Sequence, residues 1–297
     1  MSSSVRFEGT FTALVTPFKD DLSIDWDAFD RLVEGQIAGG VQGIVPCGTT
    51  GESPALDHEE QLELIKRCVK AAKGKCIVLA GTGTNATRTT ISASQAAVRA
   101  GADAVMVVVP YYNRPTQDGL FQHYVDVAAS VSAPVVVYNV PVRTGIDLMT
   151  DTLVRVCEKA PNVVAVKEAT GNVLRAQEIV RALGTRVSVL CGDDALTLPM
   201  VSVGARGVIS VSSNVYPSEV SRATRLALEG KLEEARREHL SLCGVHGAMF
   251  VEANPAPAKA ALAHLGRMKD VVRGPLARIS EPARAKVIAA LEKYEAR

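Results

Sequence analysis

Lys167 follows Val163-Val164-Ala165-Val166 and precedes Glu168-Ala169-Thr170-Gly171. Four small or β-branched apolar residues in a row read as a strand buried on both faces. A cation at the rim of such a layer is costly unless it is used, because lysine is rarely buried without a partner. Desolvation lowers the pKa of a lysine amine and frees it to attack a carbonyl. The alternative is a side chain that snorkels to solvent or pairs with Glu168. Strand alternation points Glu168 to the opposite face, which makes it a structural residue.

Three other stretches carry groups that suit the same chemistry. In Tyr138-Asn139-Val140-Pro141-Val142-Arg143-Thr144-Gly145, a phenol at a strand tip can shuttle protons, and the arginine five residues on can grip a carboxylate through paired hydrogen bonds. In Gly48-Thr49-Thr50-Gly51-Glu52-Ser53, two glycines let backbone N–H groups and threonine hydroxyls converge on a small anion. Tyr111-Tyr112 adds two phenols. Each stretch has a plainer reading: an aromatic lid with a solvated arginine for the first, and a capped tight turn for the second. Taken together they offer an amine nucleophile, a proton relay and carboxylate anchors, a set suited to Schiff-base chemistry on a small 2-oxo acid.

Such groups act together only if the fold brings them to one place. Apolar strand-like runs recur at 10–17, 43–47, 76–80, 104–109, 134–139, 163–167, 187–191 and 207–211, with helical segments between them. Their spacing of roughly 20 to 33 residues is the period of a βα unit. Asp25 heads an amphipathic run over 26–37 and Asp57 heads another over 59–73, each stopped by glycine. Eight such units predict an α/β fold of the (β/α)8 TIM-barrel type, with the active site at the carboxyl ends of the strands. A doubly wound open sheet is the rival, but it would usually need fewer strands or a second domain. Residues 1–229 are expected to form the barrel. Residues 230–297 are expected to form a C-terminal helical extension packed on it, broken at Asn254-Pro255 and Gly274-Pro275 and suited to assembly.

Composition excludes several classes. The 297 residues are 47% hydrophobic and 22% charged, with a net charge of +1, which gives no support to nucleic-acid or membrane-surface binding. The polar start, Met1 to Arg6, lacks the apolar core of a signal peptide, and no apolar run approaches a membrane span. The expected location is the cytoplasm. Cys47, Cys68, Cys76, Cys157, Cys191 and Cys243 show no C-x-x-C pairing and read as small hydrophobes in a reducing compartment. His239 and His246 lie on a polar helix without a nearby acidic or cysteine cluster, so no metal is expected.

Two further motifs invite a ligand and lose it. Gly81-Thr82-Gly83-Thr84-Asn85-Ala86 resembles a dinucleotide fingerprint, but Asp103, some 20 residues on, precedes a strand, whereas a ribose-binding acid ends one. Asp193-Asp194, after the seventh strand, would repel the phosphate that barrel enzymes often bind there. The pair reads better as a cap for a helix over 195–203.

Four motifs, in order and at matching spacing along nearly the whole chain, resemble the dihydrodipicolinate synthase family of pyruvate-dependent class I aldolases, the superfamily that includes N-acetylneuraminate lyase. They are Gly48-Thr49-Thr50-Gly51-Glu52, Pro110-Tyr111-Tyr112-Asn113-Arg114-Pro115-Thr116, Tyr138 to Gly145 and Val166 to Gly171. The resemblance implies that Lys167 condenses with pyruvate and that the enamine attacks L-aspartate 4-semialdehyde, giving 4-hydroxy-tetrahydrodipicolinate on the diaminopimelate route to lysine. It implies that Tyr138 carries protons with Thr50 and with Tyr112 from a neighbouring subunit. Thr49 and Thr50 would hold the pyruvate carboxylate, Arg143 that of the semialdehyde, and Gly192 and Ile209 would line the site through their backbones. It implies no cofactor beyond the covalent Schiff base, and a homotetramer of two tight dimers. Lyases of the same superfamily acting on sialic acid, 2-keto-3-deoxygluconate or 4-hydroxy-2-oxoglutarate, and a non-catalytic ligand-binding protein, are the alternatives.

Family members inhibited by lysine bind it at the dimer interface. Ser53, His58, Asn85 and Tyr111 keep that pattern. Thr89 stands where sensitive enzymes carry a glutamate, Gln61 where they often carry a second histidine, and Pro54 where a small residue is usual. Loss of a carboxylate that pairs with a cationic ligand removes on the order of 1.5–3 kcal/mol, so weak or absent lysine feedback is expected.

Overall fold

The computed structural model describes residues 7–297, so the polar start, Met1 to Arg6, lies outside the described residues. Eight short strands, β1 (Gly9–Ala13), β2 (Gly43–Val45), β3 (Ile77–Gly81), β4 (Ala104–Val108), β5 (Val135–Asn139), β6 (Val163–Glu168), β7 (Ser188–Cys191) and β8 (Gly207–Ser210), close in sequence order into one barrel. Every neighbouring pair is parallel, including β8 with β1. The expected eight strands are therefore all present, most of them trimmed by a residue or more. The largest cut is in β1, where Leu14 to Pro17 leave the ladder.

Period-two alternation divides each strand between two cores. Phe11, Val45, Leu79, Met106, Val136, Ala165, Leu190 and Ile209, one from each strand, fill the lumen. Their neighbours Ile44, Val78, Val105, Val137, Val166, Val189 and Val208 pack outward under the helices. Gly43 is small for a reason: a Cβ there would stand 2.2 Å from the Phe11 ring that plugs the barrel.

The helices start where the sequence marks them. Asp25 accepts from the Ala28 N–H at the head of Trp26–Ala38, and Asp57 forms a reciprocal capping box with Glu60 at the head of His58–Ala72. The Asp193-Asp194 expectation needs correction. Only Asp193 caps, accepting from Ala195 N–H, and a 3-10 turn then leads into the short helix Thr197–Ser202. Asp194 is buried and turns instead to the end of β8, accepting from Ser210 Oγ, Val211 N–H at 2.9 Å and Ser212 N–H at 3.1 Å. Those N–H groups are thereby withdrawn from any anion.

Pro217–Leu228 completes the eighth unit, and Leu232–Ala248 packs along it. The setting of His239 and His246 is more polar than the sequence suggested. His246 Nδ1 lies 2.9 Å from Ser212 Oγ and His239 Nε2 lies 3.1 Å from the Ala195 carbonyl, both beside the Asp194 loop. Ala256–His264 is buried over most of its length and brings Lys259 to an ion pair with Glu52, both side chains fully buried. The C-terminal helices thus reach back to the loop after β2. Among the described residues no helix is long and apolar enough to cross a membrane.

Candidate active site

Tyr138 and Lys167 are register partners across the β5–β6 ladder. Lys167 shares the inward side of β6 with Ala165, and Tyr138 belongs to the lumen core. The lysine side chain is 5% exposed, and its Nζ lies 4.3 Å from the centroid of the Tyr138 ring. Among the described residues it has no carboxylate within ion-pair distance. The aromatic face takes the place of a counter-ion.

The next pair along the ladder, Asn139 and Glu168, points outward and locks the two strand ends. Asn139 Nδ2 donates to Asp147 at 2.8 Å and to Glu168 Oε2 at 3.3 Å, while Thr170 N–H donates to Glu168 Oε1 at 2.7 Å. Arg175 Nη2 closes the network on Asp147 at 2.6 Å. Burial pushes the Glu168 carboxyl above its ordinary value despite these donors. Glu168 is the structural residue that alternation predicts, and no ion pair forms between it and Lys167.

The loop after β2 is wound tightly. Gly51 and Ser53 N–H donate to the Gly48 carbonyl at 3.1 and 3.3 Å, and Glu52 N–H donates to that of Thr49 at 3.1 Å. Glu52 takes the left-handed conformation at φ +56, held by Lys259 and by Arg273 N–H at 2.9 Å. Among the described residues, the N–H groups of Thr49 and Thr50 have no acceptor, which leaves two donors for a carboxylate. Thr50 Oγ1 accepts from Asn254 Nδ2 at 3.0 Å and makes no direct bond to the Tyr138 hydroxyl.

Thr49, Tyr111, Tyr138 and Arg143 line one cavity of about 380 Å3. Arg143 sits on the short helix Pro141–Thr144, which follows β5 after a single residue. Gly192 and Ile209 stand across the barrel at the ends of β7 and β8. Gly192 N–H is spent on the Glu168 carbonyl at 2.8 Å, and a Cβ at Gly192 would meet that of Ala169 at 2.4 Å. Only its carbonyl is left to face a ligand. Tyr112 does not join this group within its own chain; it is 87% exposed at φ +72.

Ser53, His58, Gln61 and Thr89 line an adjoining cavity of about 240 Å3 with the Gly81 to Thr84 turn, while Tyr111 faces the larger cavity. Gln61 Nε2 is tied to Ser53 O at 3.1 Å, and Asn85 pairs with Asn113. Among the described residues no carboxylate lines the smaller cavity. The Gly81 to Ala86 turn is a packing device: a Cβ at Gly83 would lie 2.3 Å from Val108 N. Asp103 accepts from Val78 N–H at 2.8 Å, at the amino-terminal end of β4, far from any ligand on the carboxyl rim.

Asn254 is the site neighbour that sequence reasoning missed. Beside Pro255 it read only as a helix break, and nothing in its local pattern points to Thr50, 204 residues earlier.

A parallel eight-stranded barrel with a desolvated lysine facing a phenol at its carboxyl rim is the arrangement of the class I aldolases, lyases whose lysine forms an imine with a carbonyl substrate. Residues 6–294 match the Dihydrodipicolinate synthetase family, and the chain belongs to that family. It is 56% identical to the 4-hydroxy-tetrahydrodipicolinate synthase of Sorangium cellulosum, over 99% of this chain and 98% of that one. The synthase structure from Methylacidiphilum fumariolicum SolV superimposes with a TM-score of 0.96 at 44% identity, covering 98% of this chain and 97% of that one. A pyruvate complex of the chloride-inhibited dihydrodipicolinate synthase from Acinetobacter baumannii also aligns at TM-score 0.96, with 39% identity and coverage of 98% and 99%.

Proposed function

We infer that this enzyme is a 4-hydroxy-tetrahydrodipicolinate synthase that condenses pyruvate with L-aspartate 4-semialdehyde. The observation that carries the residue assignment is the inward pairing of Lys167 and Tyr138, 4.3 Å from nitrogen to ring centroid, at the rim of a closed barrel.

The Lys167 amine attacks C2 of pyruvate, and the carbinolamine loses its oxygen as water to leave an imine. Loss of a C3 proton gives the enamine. Its C3 attacks the aldehyde carbon of the semialdehyde, whose oxygen takes up a proton to become the 4-hydroxyl. The substrate's own amine then adds to the imine carbon, closes the ring and expels Lys167. Tyr138 moves the protons, helped by Thr50. The N–H groups of Thr49 and Thr50, without an acceptor among the described residues, suit the pyruvate carboxylate together with the two hydroxyls, and Arg143 at the cavity edge suits that of the semialdehyde. Gly192 and Ile209 complete the wall opposite.

Tyr112 acts in a neighbouring subunit, within a homotetramer of two tight dimers. The reading is supported by an 87% exposed phenol held in a left-handed backbone conformation, away from its own site. No resident cofactor is needed, because Lys167 supplies the covalent chemistry.

The test is a mass spectrum of protein treated with pyruvate and borohydride, followed by a coupled assay with the semialdehyde. A reduced pyruvyl adduct on Lys167 and turnover with the semialdehyde are expected. An unmodified Lys167 would reject the assignment.

A further inference from the structure

Asn254 supplies none of the groups assigned to the reaction, yet its side chain ends on one of them. Its Nδ2 donates to Thr50 Oγ1 at 3.0 Å, with the two residues 6% and 2% exposed. Its Oδ1 is buried and receives no hydrogen bond from the described residues. A buried amide left half satisfied costs stability. Fold energetics therefore do not explain an asparagine here, and among the described residues the bond to Thr50 is all that its side chain makes.

The consequence lies in the polarity of that bond. An amide nitrogen only donates, so it occupies a lone pair of Thr50 Oγ1 and the hydroxyl proton must point to another group. Without this partner the hydroxyl would rotate freely. The contact is also stiffly held. Lys259 pairs with Glu52, Arg273 N–H donates to Glu52 at 2.9 Å, and Arg273 Nη1 donates to the Ala55 carbonyl at 2.8 Å. The chain that follows Asn254 is thereby tied to the chain that follows Thr50, at Glu52 and Ala55.

We propose that Asn254 is a positioning residue: by donating to Thr50 it fixes the direction of the Thr50 hydroxyl proton, so that Thr50 presents a donor to the bound reactants. The proposal rests on the reading that Lys167 carries pyruvate as an imine at this site.

The test compares wild type with Asn254→Ala, Asn254→Asp, Thr50→Val and the Thr50→Val/Asn254→Ala double variant, by borohydride trapping, thermal unfolding and kcat and KM across pH. Asn254→Ala should still trap pyruvate on Lys167 and lose kcat on the order of ten-fold with little change in KM. The double variant should be no slower than Thr50→Val, because Asn254 acts only through that hydroxyl. An ionised aspartate accepts and cannot donate, so Asn254→Asp turns the Thr50 proton the wrong way. It should be slower than Asn254→Ala at neutral pH and gain on it as the pH falls and the carboxyl becomes a donor.

Losses that multiply in the double variant, or an Asn254→Asp profile parallel to that of Asn254→Ala, would overturn the proposal in favour of simple packing. If Asn254→Ala does not fold, the near-isosteric Asn254→Asp is compared with wild type: a kcat deficit that shrinks as the pH falls supports the proposal, and a deficit constant with pH overturns it. Wild type that traps no pyruvate would instead defeat the underlying functional reading, whatever the variants do.

Discussion

The Nζ of Lys167 rests over the ring of Tyr138, 4.3 Å from its centroid, because the two residues are partners in the β5–β6 register and both point into the barrel. One residue further along, Asn139 and Glu168 are also partners and both point out, joined by a hydrogen bond of 3.3 Å. A single ladder therefore builds the reactive pair on one face and its brace on the other.

Tyr138→Phe keeps the ring and removes the hydroxyl. Lys167 should stay in place, and pyruvate should still be trapped at equilibrium. Steady-state kcat should fall on the order of 100-fold or more, the scale of a lost proton-transfer group. Comparing trapping yield with turnover checks the split; an unchanged kcat would remove Tyr138 from the mechanism.

Tyr112 is almost fully exposed, so Tyr112→Phe should alter stability by no more than about 0.5 kcal/mol. Its activity should nevertheless collapse. Refolding it together with Lys167→Ala should restore activity that neither parent shows, since one mixed site combines an intact lysine with an intact tyrosine. Absence of complementation would place Tyr112 outside the site.

Glu52 and Lys259 form an ion pair with both side chains fully buried, and burial draws the Lys259 ammonium below its ordinary value even with Glu52 beside it. Lys259→Met should cost about 3–5 kcal/mol, because it strands a buried carboxylate. Adding Glu52→Gln should recover much of that loss. Denaturant unfolding of both variants measures the difference, and equal stabilities would mean that the carboxylate is not stranded.

His123 is buried on the helix Gln117–Ala129, and burial drags its imidazole down from 6.5 to about 4, with Asp126 offsetting only part. The folded state holds it neutral while the unfolded chain protonates it, so stability is full above pH 6.5 and is lost as the pH falls towards 4. The gap corresponds to on the order of 3 kcal/mol. Burial lowers His239 and His246 as well, so wild type should weaken in acid, and His123→Gln should weaken less steeply. Parallel stability–pH curves for the two proteins would count against this assignment.

L-Lysine should inhibit weakly or not at all, because the cavity bounded by Ser53, His58, Gln61 and Thr89 offers a cation no carboxylate. Thr89→Glu should strengthen inhibition roughly ten-fold or more. Inhibition at millimolar lysine or below, unaltered by Thr89→Glu, is the result that would end this idea.

Local pattern was enough to expect the barrel, since β-branched runs at a βα spacing and capped amphipathic segments are properties of neighbouring residues. It was also enough to send Lys167 inward and Glu168 outward, because strand alternation is local. Hydrogen bonds between separate elements leave no trace in spacing. Asp194 looked like a helix cap until β8 came within reach, and Asn254 looked like a helix break until the C-terminal segment folded back over the loop after β2. Asp194 found its partners where β7 lies beside β8, and Asn254 found its own through the docking of the C-terminal segment on the barrel. Lys167 shows both levels at once: its type and strand came from the sequence, while the ring face beneath its nitrogen and the lack of a neighbouring carboxylate were decided by how eight strands meet.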